Sequence, residues 1–488
     1  MTAFAVLHVT SMPGGGVNRH IDDVVAAGLR RHLVWHVAPG ADVIAIPAEK
    51  RFVPLDPDAI AREPGALADW LRGQGVGAVH VHSVAPAPRA RAAWAAQALG
   101  VPTLATLHDV LFMRLDGFAA GAPPEPDPEW LAQTQGFLEA AAARIAPSEF
   151  LAGLARRHLD QEVVVIPNGS LPAGNAAPLA PRPEFLARKP AHVVAVIGAI
   201  GPHKGARIIE ETARLLEGSD IGIVVVGYMD HQVAPGWRAE RLFVHGPWSE
   251  RDGGPLAKAY GAEIALFPHQ VPESFSYALS DAWAAGLPAL VAPDGALGER
   301  MSRHQAGWLL PERFTAVDVA AELRRIFSAA GADDLARVRS RLSGDDPHRV
   351  PSVDAMNRSL DALYARFGID PRAPLEPLSA PVQAVIAAHL DGKAMRPELS
   401  QLADEVAQLR AGLEVERGQA QRFETEAREW IAKLEADVAN VQEELRRETA
   451  ERLRLAEENR ELRLQPRFLR RIASFARRLL KRNPDARG

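Results

Sequence analysis

Residues Phe267–Val291 read FPHQVPESFSYALSDAWAAGLPALV. An apolar strand ending at Phe267 runs into a loop that carries Glu273. Ser274–Tyr277 then opens a helix, Tyr277–Ala285, on which Asp281 lies. Ala285-Gly286-Leu287-Pro288 stops that helix, and Ala289–Ala292 begins the next strand. Strand, loop, helix and strand in this order form one unit of a parallel sheet, because parallel strands need a crossover. A helix start offers free N–H groups and a positive dipole end to phosphate. A carboxylate at each end of such a turn suits ribose and sugar hydroxyls.

The same alternation extends upstream. Val193–Ile197 is a predicted strand that runs through glycines into His203 and Lys204, directly before a helix over Ala206–Glu217. A lysine at a sheet's carboxyl edge beside a helix N-terminus is placed to meet a diphosphate. Ile221–Val226, Leu242–His245 and Ile264–Phe267 are further strands. In the first third, Phe4–Val9, Val34–Val37, Ala78–Val81, Thr103–Leu107, Arg144–Ala146 and Val163–Ile166 are strands. Helices are expected over Val17–Arg31 and Arg89–Leu99. Ser170–Pro190, rich in Pro and Ala, divides the two series as a linker. The expected fold class is α/β, with two doubly wound Rossmann-like domains around a cleft, spanning 1–180 and 190–350. A helix near Ser352–Phe367, within 351–370, should close the second domain, and 371–397 is a further linker.

Composition narrows the chemistry. The chain has 488 residues, 47% hydrophobic and 24% charged, with a net charge of -5. That balance gives no sign of a nucleic-acid partner. No cysteine is present, which removes thiol catalysis and cysteine-ligated zinc. No Asp-x-Asp pair sits at a strand end, so no metal and no cofactor are expected. Without a signal-peptide pattern or an apolar run of spanning length, a cytoplasmic chain is expected.

The glycine-rich loop at residues 12–16 lies between the first strand and the first helix. Gly15-Gly16-Val17-Asn18-Arg19-His20, Pro147-Ser148-Glu149-Phe150, Ile166-Pro167-Asn168-Gly169, Lys204-Gly205 and the Glu273/Asp281 pair together resemble the retaining GT-B glycosyltransferases known as glycosyl transferases group 1. The likeness runs from Phe4 to Phe367. It implies that Gly15 and Gly16 contact the acceptor side and the donor phosphate. Lys204 and His203 would face the diphosphate, and His108, in Thr106-Leu107-His108-Asp109, the donor sugar. Gly246 and Pro247 would hold the nucleobase, with Glu273, Ser274, Phe275, Ser276 and Asp281 on the sugar and ribose. The nearby Asp109 reads as a helix cap. Two positions differ from the family's usual pattern: Ala199 stands where an arginine is common, and Asp281 where glutamate is. Asp281→Glu is therefore expected to be mild.

The implied reaction moves a sugar from a nucleotide-sugar donor to an acceptor hydroxyl with retention. The acceptor is expected to be a cell-surface glycan or a lipid-linked one. A GT-B scaffold without activity and a nucleotide-sugar epimerase are the alternatives.

From Leu399 the chain changes character. Leu399, Leu402, Val406, Leu409 and Leu413 open a heptad seam that, after a stutter, reaches Asn459 and Leu462. Over 398–465 this predicts a coiled coil, and a seam asparagine favours a parallel homodimer. Pro466 ends it, and the 466–488 tail follows. Within 467–482 one helical face holds Phe468, Leu469, Ile472 and Phe475, and the other arginines. That pattern fits the anionic inner face of a membrane.

Overall fold

The computed structural model describes residues 4–11, 15–37, 42–55, 64–115, 125–171, 180–229, 234–248, 250–344, 346, 348–368, 470, 471, 473 and 474. The coiled-coil and most of the tail expectations lie outside these residues. Two sheets occupy one compact unit, Met1–Gly392.

The first sheet holds β1 (Ala5–Thr10), β2 (His32–His36), β3 (Asp42–Ile46), β4 (Arg51–Leu55), β5 (Val76–Val81), β6 (Thr103–Thr106), β7 (Ala143–Ala146) and β8 (Val164–Val165). Their order is β4-β3-β2-β1-β5-β6-β7-β8. From β2 through β8 every neighbouring pair is parallel. β3 and β4 form an antiparallel extension on β2. The sequence reading missed that hairpin. Its outer strand is short and exposed at Phe52, and it carries Pro54, as edge strands tolerate. The first helix, Gly15–Ala26, is shorter than expected. A Cβ at Gly28 would lie 2.2 Å from His32 Nε2, so the chain turns tightly into β2 there.

The second sheet holds β9 (His192–Ile200), β10 (Ile221–Met229), β11 (Gly236–Ala239), β12 (Leu242–Val244), β13 (Ala262–Phe267), β14 (Ala289–Val291) and β15 (Gly307–Leu309). Their order is β11-β12-β10-β9-β13-β14-β15. All pairs are parallel except β11–β12. β9 sits at the centre, and Val193–Ile197 is buried throughout. An unbroken apolar run of this kind belongs to a strand covered on both faces. The chain reverses direction across the sheet at β1/β5 and again at β9/β13. Such switch points open a crevice at the strands' carboxyl ends, where ligands bind.

The helix Val353–Phe367 does not close the second domain. It is capped by Ser352, and its Val353, Met356, Leu360 and Tyr364 pack with Phe4, Val6, Leu104 and Ile145 of the first. The physical reason is complementary shape at Gly169, whose missing Cβ leaves room for the Val353 backbone. Ser170 N donates to Pro351 O at 2.8 Å beside it. No helix among the described residues is long and apolar enough to cross a membrane.

Candidate functional site

Four segments converge on one cleft, each leaving the carboxyl edge of a sheet. After β9, Pro202–Lys204 makes a tight turn closed by Gly205, whose φ is +81°. A Cβ there would meet Pro268 O at 2.2 Å. Gln270 N donates to His203 O at 2.9 Å, tying this loop to the one after β13. Lys204 is thereby held beside Glu273, and its ammonium makes no hydrogen bond or salt bridge among the described residues.

Glu273 is partly buried, its side chain 23% exposed, and burial pushes its carboxyl up. His269 Nδ1, 3.1 Å from Oε1, and the charges of Lys204 and His203 outweigh that and hold it at about 2. It is a carboxylate at any working pH. His269 was missed by the sequence reading, although it stands only four positions before Glu273.

Ser276 opens the helix Tyr277–Ala284 with a φ of +69°. Left-handed geometry is costly for a residue with a side chain, and something must hold it. Arg300 does so: its guanidinium donates to Phe275 O at 3.1 Å, Ser276 O at 2.9 Å and Ser280 Oγ at 2.8 Å. Burial lowers Arg300 to about 9, still protonated at neutral pH. No local motif in the sequence announces Arg300.

From the first domain come Gly15 and Gly16 at the start of the Gly15–Ala26 helix, and His108 after β6. A Cβ at Gly16 would touch the Tyr277 ring at 3.5 Å. Arg19, one helical turn on, lies over that ring at 4.3 Å and holds Asp281 with two bonds of 2.7 Å. Asp281, expected to face ribose, is thus engaged by an arginine of the other domain. Further ties span the domains. Ser148 Oγ donates to Ser274 O at 2.7 Å, and Glu299 accepts from Phe150 N at 2.7 Å.

The cavity between these segments measures about 350 Å³. Gly15, Gly16, His108, Lys204, Glu273, Ser274, Phe275, Ser276 and Asp281 all line it, with Ala199 and Arg19. Lys204, Glu273 and Ser274 also face an adjoining cavity of about 380 Å³, where His203, Asp109 and Phe150 lie. Asp109 accepts from Leu111 N at 2.8 Å, but this closes a turn, and no helix follows among the described residues before Pro128, so Asp109 is not the helix cap expected of it. Gly246 and Pro247 do not line the main cavity. Gly246 is buried, with its N–H spent on Gly227 O, and the residue of that loop in the wall is Trp248.

Behind His108 lies a chain of imidazoles. His82 Nδ1 is 3.0 Å from His108 Nε2, His82 Nε2 is 2.9 Å from His8 Nδ1, and His8 Nε2 is 2.8 Å from His32 Nδ1. Burial lowers all four below the usual histidine range, His32 to about 4. These rings are therefore neutral at neutral pH.

Residues 14–170 match the family model described as Glycosyltransferase Family 4. Solved structures of similar fold include Anabaena HepE in complex with UDP, with a TM-score of 0.54 and 14% identity, covering 74% of this chain and 100% of that one. The core of the chain has the GT-B fold. Sucrose-phosphate synthase from Thermosynechococcus elongatus gives a TM-score of 0.51 at 15% identity, covering 75% and 98% of the two chains. The catalytic domain of Starch Synthase IV from Arabidopsis thaliana, bound to ADP and acarbose, gives 0.50 at 14% identity over 75% and 99%. At such identities the likeness is one of GT-B fold. No curated protein sequence matches the chain.

Proposed function

We propose that this GT-B chain transfers a sugar from a nucleoside diphosphate to an acceptor hydroxyl with retention of configuration. The observation that carries this reading is the Lys204 ammonium, which has no hydrogen bond or salt bridge among the described residues, in a cleft shared by both domains, beside the helix start at Ser276. A cation and free backbone N–H groups aimed at one place stabilise a leaving diphosphate. The neighbours in complex with UDP or ADP support a donor of that class. In this reading Glu273 accepts hydrogen bonds from sugar hydroxyls, and His108 donates one from the opposite wall. The leaving diphosphate takes the acceptor's proton, so that positioning and charge provide the catalysis and no metal is needed.

The adjoining cavity, which meets the first at Lys204 and Glu273, is then the acceptor's place. A glycan or lipid-linked acceptor of the cell surface fits a chain whose 467–482 segment has the pattern of an anionic-membrane anchor. The enzyme would work as a parallel dimer at the inner face of the membrane.

The test is incubation with a panel of nucleotide sugars, following release of nucleoside diphosphate with and without oligosaccharide or polyprenyl acceptors. Release from one donor, stimulated by an acceptor, is the expected result. Absence of turnover and of binding across the panel overturns the reading.

A further inference from the structure

His20 presents an unusual combination. It is 2% exposed, and neither ring nitrogen makes a hydrogen bond of good geometry; Asn168 is the polar side chain that engages it. A buried polar atom without a partner costs about 1–3 kcal/mol, so such groups in proteins ordinarily have one. The Asn168 side chain lies in the adjacent cleft wall, and its Oδ1 makes no hydrogen bond of good geometry either. The His20 ring meets the His108 ring edge-on at 4.8 Å and lies 5.5 Å from that of His82. One nitrogen from each of His20, His82 and His108 lies within 4.8 Å of the others.

We propose that His20, His82 and His108 form a binding site for a borderline-soft divalent cation, Zn2+ being the type, with its fourth position open to the cleft. Nitrogens at about 2.0–2.1 Å from a tetrahedral ion stand about 3.3 Å apart. The His82 Nδ1 and His108 Nε2 pair, at 3.0 Å, already has nearly that spacing. Closing the set requires movement mainly of His20, and it replaces the His20 contact with Asn168 and the His82–His108 hydrogen bond by bonds to the ion. Imidazole donors select Zn2+, Ni2+ or Co2+ over Mg2+, which prefers oxygen.

The chain behind the site supplies what a ligating histidine needs on its far side. With an ion on His82 Nδ1, the ring's hydrogen sits on Nε2 and is donated to His8 Nδ1, and His8 passes its own from Nε2 to His32 Nδ1. Hydrogens change nitrogens within the rings, and none needs to leave. A second trio, His8, His80 and His82, also converges. There, however, His80 spends its nitrogens on Tyr364 and Thr106, and the set has no opening to the cleft.

The site stands on geometry and not on the proposed sugar transfer. If that transfer is correct, a bound ion occupies His108 and competes with the donor. The full chain, freed of metal with a chelator, is titrated with Zn2+ by calorimetry and with Co2+ by visible absorption. Expected are one ion per chain at micromolar affinity or tighter, four-coordinate Co2+ bands, and no response to Mg2+. His20→Ala should weaken binding at least tenfold and remove the bands, whereas His348→Ala, at an exposed position, changes neither. Should thermal melting show His20→Ala unfolded, His20→Gln serves in its place. Lack of saturable binding, or unchanged affinity in the folded His20 variant, overturns the site.

Discussion

Arg19 and Asp281, 262 positions apart in the chain, meet across the cleft in a two-pronged ion pair with both bonds at 2.7 Å. Their side chains are 6% and 11% exposed, so neither charge can fall back on water. Removing one partner of such a pair strands the other, at a cost of about 3–5 kcal/mol. Arg19→Ala and Asp281→Asn should each destabilise the chain by about 3 kcal/mol in urea unfolding. The double replacement should cost clearly less than their sum. Additive losses would show that the pair is not coupled.

The same geometry revises the expectation for Asp281→Glu. An added methylene has no room where both oxygens are already in contact with the guanidinium, so Arg19 must move. The substitution should cost about 1–3 kcal/mol as overpacking does, and turnover should fall. Thermal melting and initial rates check this together.

Lys204→Ala and Glu273→Ala should each reduce sugar transfer by about a hundredfold, near 3 kcal/mol of transition-state stabilisation. Lys204→Ala should leave the melting temperature almost unchanged, since that ammonium makes no hydrogen bond or salt bridge among the described residues. Steady-state rates with the donor identified by the panel provide the measurement, and wild-type rates in both variants would reject the assignment.

Arg300 holds the strained Ser276 turn from below. Arg300→Lys keeps the charge but loses the fork that reaches Phe275 O, Ser276 O and Ser280 Oγ together. It should destabilise by about 3 kcal/mol, in line with carbonyls left unsatisfied in the interior. Donor affinity should fall with it, although Arg300 does not line the cavity. Unaltered donor binding in a folded Arg300→Lys chain would mean that the turn holds itself.

Acid should unfold the first domain early. His8, His20, His32, His80, His82 and His108 are held below 6.5 by burial, His20 and His32 at about 4. The unfolded chain therefore binds these protons as pH falls below 6.5 while the folded chain does not. Stability is full above 6.5 and is lost toward pH 4. Each such proton costs about 1.4 kcal/mol per pH unit, and several acting together make the loss steep. Against a total stability of about 5–15 kcal/mol, circular dichroism during acid titration should show unfolding between pH 6.5 and 4, and His32→Gln should make the transition less steep. Glu273 adds a smaller loss at lower pH, as its carboxylate is protonated between 4.5 and about 2.

Local order was legible in the sequence because parallel strands buried on both faces must be apolar runs, and helix starts need glycines, serines and carboxylates. Hence β9, β13, β14 and the Tyr277–Ala284 helix could be placed from residues alone, together with the loops holding Lys204 and Glu273. Strands β3, β4, β11 and β15 were not legible, since they are short and the edge strands β4, β11 and β15 are only partly covered. What only the tertiary structure decided is which distant groups meet. Asp281 reads as a free helix carboxylate until Arg19 is brought to it, and Arg300 as a surface arginine until Ser276 needs holding. Six histidines scattered from His8 to His108 become one cluster only when β1, β2, β5 and β6 align side by side. Sequence pattern reports the environment of each element, because burial and backbone geometry act residue by residue. Pairing across hundreds of residues depends on how two sheets are brought together, and no local pattern encodes that.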